Sequence, residues 1–206
     1  MVYINPFDYV NKKDVIKRVA GMKKKHSGMT GRELCDLVIR RKSRWCAASG
    51  AVTALPGAFP GLGTVLAVFG GTALDITALS YFMSEMILEM SAIYGRDLNI
   101  PAVSREALWV LVSAVGSDVA GKGLTRTVVA QMGRQAVVKL MQELLLSLGI
   151  RISQRSLLKI IPVLGTIISG AVNYYICKKI GKVAADYYDK NSFHEWEGKT
   201  ITVPGN

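Results

Sequence analysis

Histidine and cysteine are scarce in these 206 residues, two and three respectively. His26 and His194 lie far apart, each beside charged residues. Neither has a cysteine or carboxylate at ligand spacing on one helical face, so no metal site is expected. Cys35, Cys46 and Cys177 form no C-x-x-C and are odd in number, which excludes a disulfide framework and points to a reducing compartment. Met1–Val10 is mixed, contains Asp8 and precedes no apolar core, so no secretory leader is expected. The chain also lacks a Gly-x-Ser-x-Gly elbow, a phosphate-binding G-x-x-x-x-G-K-[ST] loop and any legible nucleophile–base pair. The expectation is therefore a protein that is not an enzyme and carries no cofactor.

Acidic residues are the minority, 15 Asp+Glu against 26 Lys+Arg, for a net charge of +11. The excess sits at both ends. Met1–Arg44 carries +8, Trp45–Ala120 carries −4 and Gly121–Asn206 carries +7. Basic flanks attract polyanions, either nucleic acid or an anionic lipid leaflet. Nucleic acid is the less expected partner, because aromatics are few, at 8%, and do not alternate with the basic residues.

What the chain has in plenty is apolar helix. Hydrophobic residues make up 50% and mean hydropathy is +0.27, too high for disorder and too low for a chain built mainly of membrane spans. Asp8 to Lys25 repeats Val15, Ile16, Val19 and Met22 at helical spacing, with Lys12, Lys13, Lys17, Lys23, Lys24 and Lys25 around the back. Thr30-Gly31-Arg32-Glu33 has the form of a capping box. The helix it opens carries Leu34, Leu37, Val38 and Trp45 on its apolar side, and Arg40, Arg41, Lys42 and Arg44 elsewhere. Thr72–Tyr94 reads as a helix in which Glu85 and Glu89, four apart, form a solvated edge, and Gly95 ends it. Ser104 to about Val119 and Thr127–Leu148 read as further helices.

Two tracts carry no charge. Trp45–Leu74 spans 30 residues, long enough to cross a bilayer, but Pro56, Pro60, Gly61 and Gly63 break its centre. Its small residues favour close helix–helix contact. Ile160–Cys177 spans 18 residues and is interrupted by Pro162, Gly165, Gly170 and Asn173. Insertion into lipid and burial in a core are both open for these tracts. Pro60-Gly-Leu-Gly-Thr-Val-Leu66 echoes Pro162-Val-Leu-Gly-Thr-Ile-Ile168, which would fit two pseudo-symmetric halves with Pro-x-Leu-Gly-Thr turns side by side. Asp75 and Asn173 are polar groups in apolar helices, expected to link neighbouring helices by hydrogen bonds.

Several of these features together resemble the EcsC family of bacterial proteins: the Gly/Ala/Pro-rich stretch Ala47–Gly71, Asp75 in Ala-Leu-Asp-Ile-Thr-Ala-Leu, Tyr94-Gly95-Arg96-Asp97 with Pro101, and Lys159-Ile-Ile-Pro162-Val-Leu-Gly165 with Gly170, Asn173, Ala184-Ala185 and Tyr187. The chain is also similar to a helical domain appended to some bacterial membrane-linked GTPases, without the GTPase part. The resemblance implies a helical, membrane-associated protein and supplies no catalytic residues. The expected architecture is all-α, a single helical domain of about six to eight helices. Residues 1–29 would form a basic N-terminal helix, 30–190 the EcsC-like helical domain and 191–206 a flexible tail. The expected role is that of an accessory or scaffold protein at the cytoplasmic face of a bacterial membrane, its partners an anionic membrane surface and a membrane protein, with homo-oligomers allowed. A pore-forming effector using the glycine-rich hairpin and a soluble basic nucleic-acid binder are the alternatives.

Overall fold

The computed structural model describes residues 6–54, 72–115, 126–131 and 162–191, together with positions 136 and 143. Every regular element among them is helical: α1 (Pro6–Tyr9), α2 (Lys12–Lys25), α3 (Gly31–Ala54), α4 (Thr72–Ile93), α5 (Pro101–Val115), α6 (Arg126–Gln131) and α7 (Pro162–Lys190). The all-α expectation holds.

Local chemistry sets the ends of these helices. The single helix expected from Asp8 is divided, because the Asn11 side chain accepts from the backbone N–H of Lys13 (3.1 Å) and Asp14 (3.3 Å) and so caps a new helix. At α3 the capping box forms in full. The Thr30 hydroxyl accepts from the Glu33 N–H (3.3 Å), while the Glu33 carboxylate accepts from the Thr30 N–H (2.7 Å). Gly95 ends α4 at φ +80°, a conformation that costs a residue without Cβ little. Pro101 opens α5 three residues ahead of the expected Ser104, as proline's fixed φ suits a first helical position. Gly170 and Asn173, read as interruptions, lie inside one continuous α7.

α3 and α7 form an antiparallel pair. Arg32 meets Asp186, Gly181 meets Ile39, Gly170 meets Ala47, and Gly50 meets Ser169 and Asn173, in opposite order along the two helices. The approach is close. A Cβ on Gly170 would lie 2.9 Å from the Ala47 carbonyl oxygen, and one on Gly181 2.8 Å from Ile39 Cγ1. Small residues in both uncharged tracts thus bring two backbones together. α4 runs antiparallel to α3, as Arg41–Glu89, Lys42–Glu85 and Trp45–Phe82 show. α5 is buried almost all round, from Ala102 to Val115, and Val38, Met86, Leu108, Leu111, Cys177 and Ile180 fill the centre. α1 and α2 add Phe7, Val10, Val15 and Val19 to the same core. No helix among the described residues is long and apolar enough to cross a membrane.

Pro56, Pro60, Gly61 and Gly63 lie outside the described residues, and so does the first Pro-x-Leu-Gly-Thr turn; of the second, Pro162 is the first residue of α7 and Gly165 lies in its first turns. Asp75 lies on α4, but its side chain is outside what is described.

Candidate functional site

Two polar clusters and one surface organise the charge of the molecule. The first cluster is internal. Glu89 is 0% exposed and Glu85 nearly so. Arg18 of α2 donates Nε to Glu89 at 3.0 Å and also pairs with Glu85. Lys42 of α3 pairs with Glu85 and lies 3.3 Å from Glu89, and Arg41 pairs with Glu89. The solvated edge expected of Glu85 and Glu89 is therefore wrong: three cations from two other helices close over it. Lys42 is likewise no surface cation, at 5% exposure. Arg18 stands above its ordinary pKa; burial opposes its charge, and Glu85 and Glu89 more than offset that.

The second cluster joins other helices. Arg96, just past α4, donates to the Asn191 carbonyl (2.7 Å) and reaches buried Glu106 of α5 at 3.3 Å. Arg126 of α6 donates to the Tyr187 hydroxyl at 2.8 Å. Burial raises the pKa of Glu106, and Arg96 pulls it back in part. These groups hold α5, α6 and the end of α7 together.

The surface lies on the outer faces of α3 and α7. In register, their exposed side chains fall into three zones along the bundle axis. At the α3 N-terminal end stand Glu33 and Asp36, with Asp186 and Asp189 of α7 beside them. Here Arg32 pairs with Asp186, and Tyr94 donates to Asp189 at 2.8 Å. Next come Arg40 and Arg44 of α3 and Lys179 and Lys182 of α7, with Lys178 half-buried over the Tyr174 ring, none in an ion pair among the described residues. Beyond them charge ends. Trp45 (57% exposed), Ala48 and Val52 (62%) continue α3, and Tyr175 (63%) and Ala171 continue α7 toward its start. Phe82 of α4 stacks against Trp45 with centroids 6.4 Å apart, and Tyr81 lies edge-on to Phe82. Trp45, expected on the buried side of α3, is instead exposed at this end. A depression of roughly 570 Å³ beside it is lined, among the described residues, by Leu37, Arg40, Arg41, Arg44, Trp45 and Ala48.

The other expected cations divide. Lys13 and Lys17 are exposed and Lys12 half-buried on the first turns of α2, the part nearest Tyr81. Lys23, Lys24 and Lys25 are exposed at the other end of α2, where Lys23 lines a small cleft with Gly31, Leu34 and Ile93. The most conspicuous basic run in the sequence thus sits at the acidic end of the bundle. Asn173 is fully buried against Gly50. Sequence reasoning missed Tyr175, Lys178, Lys179 and Lys182 as a group, although their i, i+3 and i+4 spacing places them on one helical face.

The sequence matches the model of a known family, the EcsC protein family, over residues 8–190. The chain belongs to that family. No curated protein and no solved structure matches it. The EcsC match takes in α2 to α7, and so both polar clusters and the zoned surface.

Proposed function

We propose that this EcsC family member is a membrane-associated accessory protein, held at the cytoplasmic face of a bacterial membrane and acting without catalysis. The observation that carries the reading is the order of exposed residues on α3 and α7: cations in no ion pair among the described residues, tryptophan and tyrosine at their lower edge, then apolar side chains. Lipid–water interfaces select that order, because cations meet the phosphates, amphipathic rings sit at the headgroup boundary and apolar groups lie beyond. The ends of the two uncharged tracts support it, since Ala54, Thr72 and Pro162 all lie at the apolar end of the bundle. The titratable groups of the interior support the non-catalytic part, because Glu85, Glu89 and Glu106 are engaged in ion pairs that join helices.

Flotation with lipid vesicles tests the reading. The protein is expected to float with phosphatidylcholine vesicles containing phosphatidylglycerol, and less with phosphatidylcholine alone. Recovery of the whole pool at the bottom of both gradients would reject membrane association. Leakage of an entrapped dye from the same vesicles would favour the pore-forming alternative over a peripheral role.

A further inference from the structure

We infer that the bundle meets an anionic lipid surface end-on, with Arg40, Arg44 and Lys179 at the level of the phosphates, Trp45 and Tyr175 beside Arg44 at the headgroup boundary, and Val52 about 12 Å further along α3 below them. The inference rests on the membrane reading above and adds its geometry, contact residues and polarity. It reverses what the sequence suggests, because the lysine run Lys23–Lys25 then points away from the membrane.

The heights follow from the helix register. Trp45 and Glu33 are twelve residues apart on α3, which separates them by about 18 Å along the axis. Asp186 pairs with Arg32, and Lys23 shares a cleft with Gly31 and Leu34, so both belong to the Glu33 level. Screening at physiological salt acts over about 8 Å. Lys23–Lys25 therefore feel little of a lipid charge that lies at the height of Arg44, whereas the belt cations feel nearly all of it. A molecule lying on its side is disfavoured by its own charge. Glu33, Asp36, Asp186 and Asp189 are exposed on the same outer faces as the belt, and a side-on approach would press them against the phosphates. An upright approach brings the cations down and lifts Glu33, Asp186 and Asp189 beyond a screening length, with Asp36 about 6 Å above Arg40.

Two triple variants with equal change of charge separate the ends: Arg40→Glu/Arg44→Glu/Lys179→Glu and Lys23→Glu/Lys24→Glu/Lys25→Glu. All six positions are exposed, so both variants are expected to fold, which circular dichroism checks. With a basic residue near an anionic surface contributing roughly fivefold to partitioning, the belt variant loses about a hundredfold or more on phosphatidylglycerol-containing vesicles. The lysine-run variant changes less than about threefold at physiological salt. A second readout does not depend on charge. An environment-sensitive fluorophore on Val52→Cys is expected to shift to the blue on vesicles, whereas one on Asp36→Cys is not. Equal loss in both triples, or two labels that stay aqueous while the protein is bound, overturns the end-on geometry and leaves membrane association standing. Failure of the wild type to bind vesicles overturns both. A Val52→Cys label shielded without lipid, increasingly with protein concentration, assigns this end to a second copy and also overturns the inference.

Discussion

A methyl group placed on Gly170 should destabilise the protein, and the same change at Gly21 should stabilise it. At Gly170 the new Cβ would sit 2.9 Å from the Ala47 carbonyl oxygen. That oxygen belongs to the α3 backbone and cannot rotate away, so α7 must move off α3 or the helix must bend. Overpacking of this kind costs about 1–3 kcal/mol. Alanine returns about 1 kcal/mol through its better helix propensity, which leaves a net loss of about 0–2 kcal/mol. At Gly21, on the exposed side of α2, nothing lies within 4 Å of the added Cβ. There only the propensity term acts, for a gain of about 0.5–1 kcal/mol. For a domain of this size each kcal/mol moves Tm by about 2–4 °C. Gly170→Ala should melt up to a few degrees below wild type and Gly21→Ala slightly above it, with urea titrations followed by circular dichroism giving the same signs. A Gly170→Ala protein stabilised as much as Gly21→Ala would refute the close approach of α3 and α7 at Gly170.

Three further outcomes follow from the polar groups. Glu89→Ala takes one of two carboxylate partners from Lys42 and Arg18, which keep Glu85, and should cost about 1.5–3 kcal/mol, whereas Arg41→Ala, whose side chain is 41% exposed, should cost at most about 1 kcal/mol; equal losses in thermal melts would contradict the burial of the cluster. Cys35, Cys46 and Cys177 are all buried and burial pushes the Cys35 thiol up to about 12, so a thiol reagent at mildly alkaline pH should react only as fast as the protein opens, and a rapid native-state reaction would count against this packing. Burial raises Glu106 above its ordinary carboxyl range, so the folded state holds that proton more tightly than the unfolded chain does; relative to Glu106→Gln, wild-type stability should therefore fall as pH rises from about 4.5 through the raised pKa, and a difference that grows with pH would carry the wrong sign.

The parts of the fold legible in the sequence are those decided within one helical turn. The Thr30–Glu33 capping box and the Gly95 stop involve neighbours three or four residues apart, and both form as read. The four-residue spacing of Glu85 and Glu89 showed that they share a face, but not what covers it. That depends on Arg18, Arg41 and Lys42, which lie more than forty residues away in the chain. Trp45 failed for a related reason. Its spacing from Leu34 and Val38 suggested the buried stripe, yet by Trp45 the inward positions of α3 are taken by Ser43, Cys46 and Gly50, where small side chains let α7 approach. The small-residue content of the first uncharged tract did signal that approach, because glycine and alanine in a helix leave backbone surface for a neighbour to occupy.

The run Arg40-Arg41-Lys42-Ser43-Arg44 shows how the fold turns composition into a site. As linear sequence it is a block of four cations with nothing to rank them. In a helix with 3.6 residues per turn, Arg40 and Arg44 share one face, while Arg41 and Lys42 turn toward α4. The carboxylates of α4 wait there, so Glu89 takes Arg41, and Glu85 and Glu89 together take Lys42. Ion pairing on the inside thus sorts the block, neutralising two cations in the bundle and leaving two for an external anion. The α7 lysines lie close beside the α3 arginines because Gly170 and Gly181 let that helix pack tightly against α3. Widening the helix pair should therefore blur the outer belt even with every cation in place. On that argument Gly170→Ala weakens vesicle binding by more than its stability loss accounts for, an effect that neither residue's chemistry predicts alone.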